Sequence, residues 1–153
     1  MTNRAGVHEK GTFSLFEMIN NVKDESGFEK AGAMAMFIGV VRGETARGER
    51  VEKLKLEAYE EKANEVLASI CDDLTAKPGV LDVQIHHLLG EFSVGEDLVY
   101  VLVVGSHREN MFSVLEEAVE RYKKEVPIFK KEYLVSGKDK ETAYWVREQE
   151  GGA

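Results

Sequence analysis

Apolar residues recur along the chain at two distinct spacings. Leu15, Met18, Ile19 and Val22 follow Ser14-Leu-Phe-Glu17, a capping-box pattern, and predict a first helix running to about Lys23. The segment Asp24 to Gly32 reads as linker. From Ala33 to Val41 every residue is apolar or Gly, which predicts a buried strand ending at Arg42. In Val51 to Tyr59, Leu54, Leu56 and Ala58 alternate with Lys53, Lys55 and Glu57, the period of a half-buried strand. The two strands are expected to form a long hairpin whose loop carries Arg42, Arg47 and Arg50. Ala63, Val66, Leu67, Ile70 and Leu74 then return at helical spacing and stop at Pro78-Gly79.

Val80 to Leu88 and Asp97 to Gly105 flank a turn-rich stretch and predict a second hairpin. Ser106-His-Arg-Glu109 is a second capping-box pattern, and Met111, Leu115, Ala118 and Tyr122 form the stripe of a helix that must end before Pro127. Ile128 to Val135 and Thr142 to Arg147 read as short strands joined through Gly137. The order α β β α β β α β β fits an α+β domain better than a doubly wound sheet. Residues 12–147 are expected to form this single domain, after a flexible polar leader over 1–11 and before a frayed tail over 148–153.

Length agrees, since 153 residues suit one core. No apolar run approaches the roughly 20 residues needed to span a bilayer, and the polar start lacks a secretory h-region. With a single cysteine the chain cannot form an internal disulfide, and a cytoplasmic location is expected. The net charge of −8 argues against binding a nucleic-acid backbone. Between Arg121 and Lys140, however, seven basic residues face three acidic ones. This basic island suits a confined anionic ligand or an acidic protein partner, against the plainer alternative of a solvated Lys face.

A helix cap at Ser106 would put His107 and Arg108 on a first helical turn, where free N–H groups and the helix dipole favour an anion. Arg42 at a strand end strengthens the case for phosphate. Lys123 and Lys130 flank Pro127, with Lys124 and Lys131 beside them. Crowded ammonium groups that are also partly desolvated can serve as base or nucleophile. Cys71 falls on the edge of the second helix's apolar stripe and reads as a packed thiol. His86 and His87 are adjacent on a strand and cannot face one metal, and no metal site or cofactor is expected. His8, in the leader, carries no signal. No dinucleotide fingerprint, P-loop or nucleophile elbow occurs.

Five blocks occur in order between Thr12 and Arg147: Phe37-Ile-Gly-Val-Val-Arg42; Leu56-Glu-Ala-Tyr59; His87-Leu-Leu-Gly-Glu91 with Val94-Gly-Glu96; Ser106-His-Arg108; and Lys123-Lys-Glu-Val-Pro-Ile-Phe-Lys-Lys-Glu132. Together they resemble the large, catalytic subunit of molybdopterin synthase, the MoaE family. Phe129 stands where the family often has Trp, and Val40 where a basic residue sometimes occurs. The resemblance implies an α/β hammerhead with an additional antiparallel sheet, a homodimer, and a heterotetramer with two small ubiquitin-like carriers (MoaD type). Each carrier would bear a thiocarboxylate on its C-terminal Gly-Gly.

The implied reaction converts precursor Z, a cyclic pyranopterin monophosphate, to molybdopterin by two sulfur transfers. By the same resemblance, Lys123 and Lys130 are catalytic, and Arg42, His107, Arg108, Lys131 and Glu132 bind substrate. Two rivals remain. One is a non-catalytic module that binds a ubiquitin-like partner or an anionic nucleotide. The other is a phosphate-ester hydrolase using His107, for which the sequence offers no convincing metal site or nucleophile.

Overall fold

The computed structural model describes residues 4–135 and the backbone of 143–147. Its elements run β1 (Ala5–Glu9), α1 (Leu15–Lys23), β2 (Ala33–Val40), β3 (Val51–Ala58), α2 (Glu60–Thr75), β4 (Val80–Ser93), β5 (Asp97–Gly105), α3 (Met111–Glu125), β6 (Ile128–Leu134) and β7 (Ala143–Arg147). The predicted tail over 148–153, the first three leader residues and the turn through Gly137 lie outside the described residues. The strands join in the order β2-β5-β4-β3-β6-β7, all antiparallel, with β1 added parallel to β4. This is the expected α+β architecture. No described helix is long and apolar enough to cross a membrane.

The 14-residue β4 organises the sheet. Its first part, Val80 to His87, pairs with β5, and its last residues, Gly90 to Ser93, pair with β3. Gly90, at the changeover, has φ +124°, a backbone region that favours glycine, so the strand can turn there between its two sets of partners. Side chains alternate across β4. Val83, Ile85 and His87 share the face covered by α2 and α3, where Leu67, Ile70, Leu74, Val114, Ala118 and Tyr122 are buried. Asp82, Gln84 and His86 share the opposite face, beneath α1, with Met18 and Val22 over it.

Three expectations need correction. The hairpin between the second and third predicted elements does not form: β2 pairs with β5, and β3 pairs with β4 and β6. The intervening loop instead closes on itself, through Val51 N–H to Gly43 C=O at 2.9 Å, a bridge between Glu44 and Arg50, and Thr45 N–H to Glu49 C=O at 2.8 Å. The reason is burial. All of β5 after Asp97 is buried and needs a neighbour on both edges, and β2, apolar on both faces, supplies one in register from Ala33 to Gly39.

The leader is also ordered from Arg4 onward. Ala5–Glu9 lies along Ile85–Leu89, Val7 N–H donates to Asn64 Oδ1 at 2.8 Å, and Arg4 forms an ion pair with Asp82. These partners are about sixty or more residues away along the chain, so no local pattern announces the strand. Finally, α3 begins at Met111 behind Asn110, whose φ is 73°, and not at Ser106.

Gly32 fixes where β2 begins. Its N–H donates to Gly105 C=O at 2.9 Å, and a Cβ at this position would collide with the backbone oxygen of Ser106. Backbone must shift to admit a methyl group there. Gly32→Ala is expected to lower stability by about 1–3 kcal/mol in urea denaturation, the usual range for overpacking. A loss below about 0.5 kcal/mol, the scatter of inert surface changes, would show that this approach is not tight.

Candidate active site at the sheet ends

Lys123 and Lys124 occupy the last turn of α3, where the helix dipole favours cations. Two features fix that turn. Tyr122, buried, meets His87 of β4 edge-on with ring centroids 5.6 Å apart. Arg121 donates to both carboxylate oxygens of Glu125, at 2.8 and 3.1 Å, and to Asp73 of α2 at 3.0 Å. These carboxylates push the Arg121 pKa further up. Arg121 of the basic island therefore clamps α3 to α2.

Strand β6 follows across Pro127 and alternates in burial. Lys130 and Glu132 point inward with Ile128, at 6% and 7% exposure, and stand opposite Leu56 and Leu54 of β3. Lys131 points outward, its ammonium 5.5 Å from the Tyr133 ring centroid. A buried cation and a buried anion two positions apart on an apolar face are costly to desolvate. Such an arrangement is ordinarily kept for chemistry or for a bound polar ligand.

Arg42 is exposed and follows Val41, which the β4–β5 turn holds through Val41 N–H to Glu96 C=O (3.0 Å) and Gly95 N–H to Val41 C=O (2.9 Å). The loop beyond it is organised by buried Thr45, whose Oγ1 accepts from the N–H groups of Arg47 and Glu49 at 3.2 and 3.1 Å.

His107 and Arg108 are exposed on the turn between β5 and α3. The Ser106 hydroxyl faces Gly79 C=O at 3.4 Å, and Met111 N–H bonds to Arg108 C=O at 3.2 Å. The expected placement of His107 and Arg108 in a first helical turn is therefore corrected. They stand before the helix, on a turn held to Gly79.

The predicted site residues fall at two ends of the sheet. Ala33 is opposite Gly105 and Val40 is opposite Asp97, so Arg42 and the 106–108 turn are separated by the length of β2. Eight residues at about 3.3 Å each make that roughly 26 Å. Helix α3 starts beside Gly105 and reaches His87, the partner of Val99, at Tyr122. Lys123 thus lies toward Arg42's end, about 18 Å along the helix from Met111. One chain brings Lys123 and Arg42 toward one end of the sheet, with Lys130 on the adjoining β6, and leaves His107 and Arg108 at the other. Sequence reasoning missed the Arg121 clamp and the Tyr122–His87 contact. The strand period could have placed His87 on the helix face, but nothing local identifies its partner.

The family described as MoaE protein matches residues 9–125. A probable molybdopterin synthase of Haloferax volcanii is 38% identical over 120 residues, 78% of this chain, which spans only 44% of that longer relative. The molybdopterin synthase catalytic subunit of Pyrococcus abyssi is 33% identical over 140 residues, covering 92% of this chain and 88% of its own. Among solved structures, a molybdopterin synthase chain from Staphylococcus aureus superposes with a TM-score of 0.78 at 27% identity, over 95% of this chain and 98% of that one.

Cys71, the lone thiol, is 1% exposed within the core, and burial followed by the nearby Asp82 carboxylate pushes its pKa up to about 12. A thiol so placed is neither accessible nor ionised near neutrality. Native protein is expected to resist iodoacetamide at pH 8 and to take up one equivalent only in denaturant, as read by intact mass. Fast labelling of the folded protein would contradict the burial.

Proposed function

The chain belongs to the MoaE family, and on that premise we propose that it is the catalytic subunit of a molybdopterin synthase. It transfers two sulfurs from a thiocarboxylated ubiquitin-like carrier to precursor Z in the cytoplasm. The observation that carries this reading is a lysine-rich site in a chain whose only thiol is sealed in the core. Sulfur must then arrive from outside. An incoming thiocarboxylate and a cyclic phosphate are both anions, and the fixed cations Lys123, Lys130 and Arg42 suit them.

Each transfer forms a carbon–sulfur bond on the pterin side chain in place of a carbon–oxygen bond, whose oxygen leaves as water or stays with the phosphate, and breaks the acyl–sulfur bond of the carrier. The acyl carbon passes to water, directly or after capture by an amine, and the carrier leaves as a carboxylate. Lys123 serves this step by orienting the thiocarboxylate, moving a proton or holding the acyl group. Lys131 and Glu132, beside Lys130 on β6, complete the substrate contacts.

The separation of Arg42 from His107 and Arg108 supports a site shared between two copies. Among the described residues β2 is the edge of the sheet, with β5 as its neighbour, and it carries no charge from Ala33 to Val40. Ile38 and Val40 are 41% and 42% exposed. Such an edge favours pairing with another strand. Antiparallel pairing of two β2 strands about a two-fold axis sets Val40 of one copy beside the start of the other's strand. Arg42, with Lys123 toward the same end, then meets His107 and Arg108 of the partner subunit.

The direct assay combines this protein with a thiocarboxylated carrier and precursor Z and follows dithiolene product. Folded protein that binds a validated carrier yet makes no product would favour the non-catalytic module instead. Lys123→Ala is expected to reduce product formation at least 100-fold while the melting curve stays near that of the wild type. Near-normal turnover would remove Lys123 from the reaction.

Mixing Arg108→Ala with Lys123→Ala chains tests the shared site. Each is expected to be inactive alone, whereas a heterodimer regains one intact pocket and up to half the wild-type activity per dimer. No recovery in a confirmed heterodimer would place the whole site within one chain.

A further inference from the structure

One face of β4 carries a continuous polar chain that the proposed reaction does not use. Arg4 Nε lies 3.1 Å from Asp82 Oδ1 as an ion pair, without the alignment of a good hydrogen bond. Gln84 Nε2 donates to Asp82 Oδ2 at 2.9 Å. The next links are Gln84 Oε1 with His86 Nε2 at 3.0 Å, and His86 Nδ1 with His8 Nε2 at 2.9 Å. Gln84 and His86 are each 1% exposed. Phe13 stacks on both imidazoles, at 4.5 Å from His8 and 4.4 Å from His86 between ring centroids.

The carboxylate at one end sets the direction of every bond. Ionised Asp82 can only accept, so Gln84 turns its NH2 toward it and presents Oε1 to His86. His86 must then donate from Nε2, which leaves Nδ1 as an acceptor, and His8 must donate from Nε2. A proton added to His8 goes to its Nδ1 and leaves the Nε2 donor in place, and a proton added to His86 Nδ1 can be met by a neutral His8 that accepts at Nε2 and carries its own proton on Nδ1. With both rings protonated, two N–H groups face each other. The link between β1 and β4 thus admits one added proton on the pair and not two.

The other charged and titratable groups around the pair do not supply a strong compensating charge. Glu17 of α1 lines the same cleft as Phe13, Asn21 and His86, and is exposed to solvent. The Tyr100 hydroxyl, from β5, is turned toward Asp97 at 2.6 Å. Lys10, beyond the end of β1, pairs with Glu96. Glu25 adds repulsion at Asp82. On its other side, β1 meets the neutral Asn64 of α2.

We propose that the N-terminal strand β1 is an acid-releasable latch, closed by the hydrogen bond between His8 and His86 on the α1 face of β4 and opened when both rings are charged. Release uncovers the edge of β4 over Ile85–Leu89, the stretch that holds His87 against Tyr122.

The sign follows from linkage. Burial, and after it the neighbouring His8, lowers the His86 pKa to about 3, and burial lowers that of His8. Opening the strand removes His8 and part of the cover and moves both groups back toward the ordinary value near 6.5. The closed state is fully favoured above about pH 6.5 and loses ground as pH falls below it, until His86 protonates even when closed. Burial moves the Asp82 pKa up, so protonating that carboxyl does not by itself favour opening. At pH 4.5, His86 alone shifts the balance toward the open form by at most about 100-fold relative to pH 7.5, the limit in which opening frees the ring completely.

Hydrogen exchange on the full chain tests the latch, with rates at each pH expressed as protection over the intrinsic rate. Protection of the β1 amides is expected to fall at least tenfold between pH 7.5 and 4.5 while the interior of β5 stays protected. The double variant His8→Gln, His86→Gln keeps a donor and an acceptor at each position but does not titrate, and its β1 protection is expected to be flat over this range. Constant β1 protection in the wild type overturns the proposal. So does parallel loss in β5, which would mean global unfolding, or an unchanged pH dependence in the double variant.

Discussion

One strand has to satisfy two sheets. β4 gives its first eight residues to β5 and its last four to β3, and takes β1 along its free edge in between. A strand paired over that length must be continuous in hydrogen bonding yet change direction. Gly90, with φ +124°, can accommodate the change. Everything on the functional side hangs from this turn. The first part of β4 carries His87, against which Tyr122 sets the end of α3. The last part carries β3, against which β6 presents Lys130 and Glu132 inward. The relative placement of Lys123 and Lys130 is therefore set by the shape of β4 as much as by the six residues that join them.

Periodicity made the helices and most strands legible, because burial of one face is a local property of the sequence. The stripe Ala63, Leu67, Ile70, Leu74 is buried, and Cys71 beside it is buried as expected. The alternation of His86 and His87 to opposite faces also follows from the strand period alone. Pairing was not legible in the same way. The apolar run over Ala33–Val40 says that both of its faces need cover, but not that β5 is the strand beside it. Proximity in sequence favoured a hairpin with Val51–Ala58, and the demand of a buried β5 for a second neighbour overrode it. Strand β1 lay deeper still. Five residues of mixed character gain their order from Arg4, His8 and Asn64 finding partners far along the chain.

The candidate site was legible as residue types and not as geometry. A capping box at Ser106 reads well, but its hydroxyl faces Gly79 C=O, and Asn110 in the left-handed region starts the helix instead. Arg121 counts toward a basic island in the sequence and proves to be a clamp between helices. The motifs name Arg42, His107 and Arg108 together, whereas the register of β2 with β5 puts them a strand length apart. The same strand that separates them is the uncharged edge through which a second copy can bring them together. An edge left this apolar invites uncontrolled pairing unless a partner takes it.

The alternation of β4 also separates two kinds of electrostatics. On the α2 and α3 face, His87 stands behind a helix end rich in lysine, where positive charge is concentrated for anions. On the α1 face, Asp82, Gln84 and His86 form a chain whose bonds are all oriented by a single carboxylate. Neighbouring histidines thus stand in different surroundings although their backbones are joined. A charge gathered on one face need not disturb the protonation of the other, because the side chains point away from each other and the buried strand lies between them. What couples the faces is the backbone: the stretch Ile85–Leu89 that β1 covers is the stretch that carries His87. Coupling of that kind acts through strand position rather than through charge. Release of β1 as proposed would reach the end of α3 by this route, without any group of β1 standing in the site.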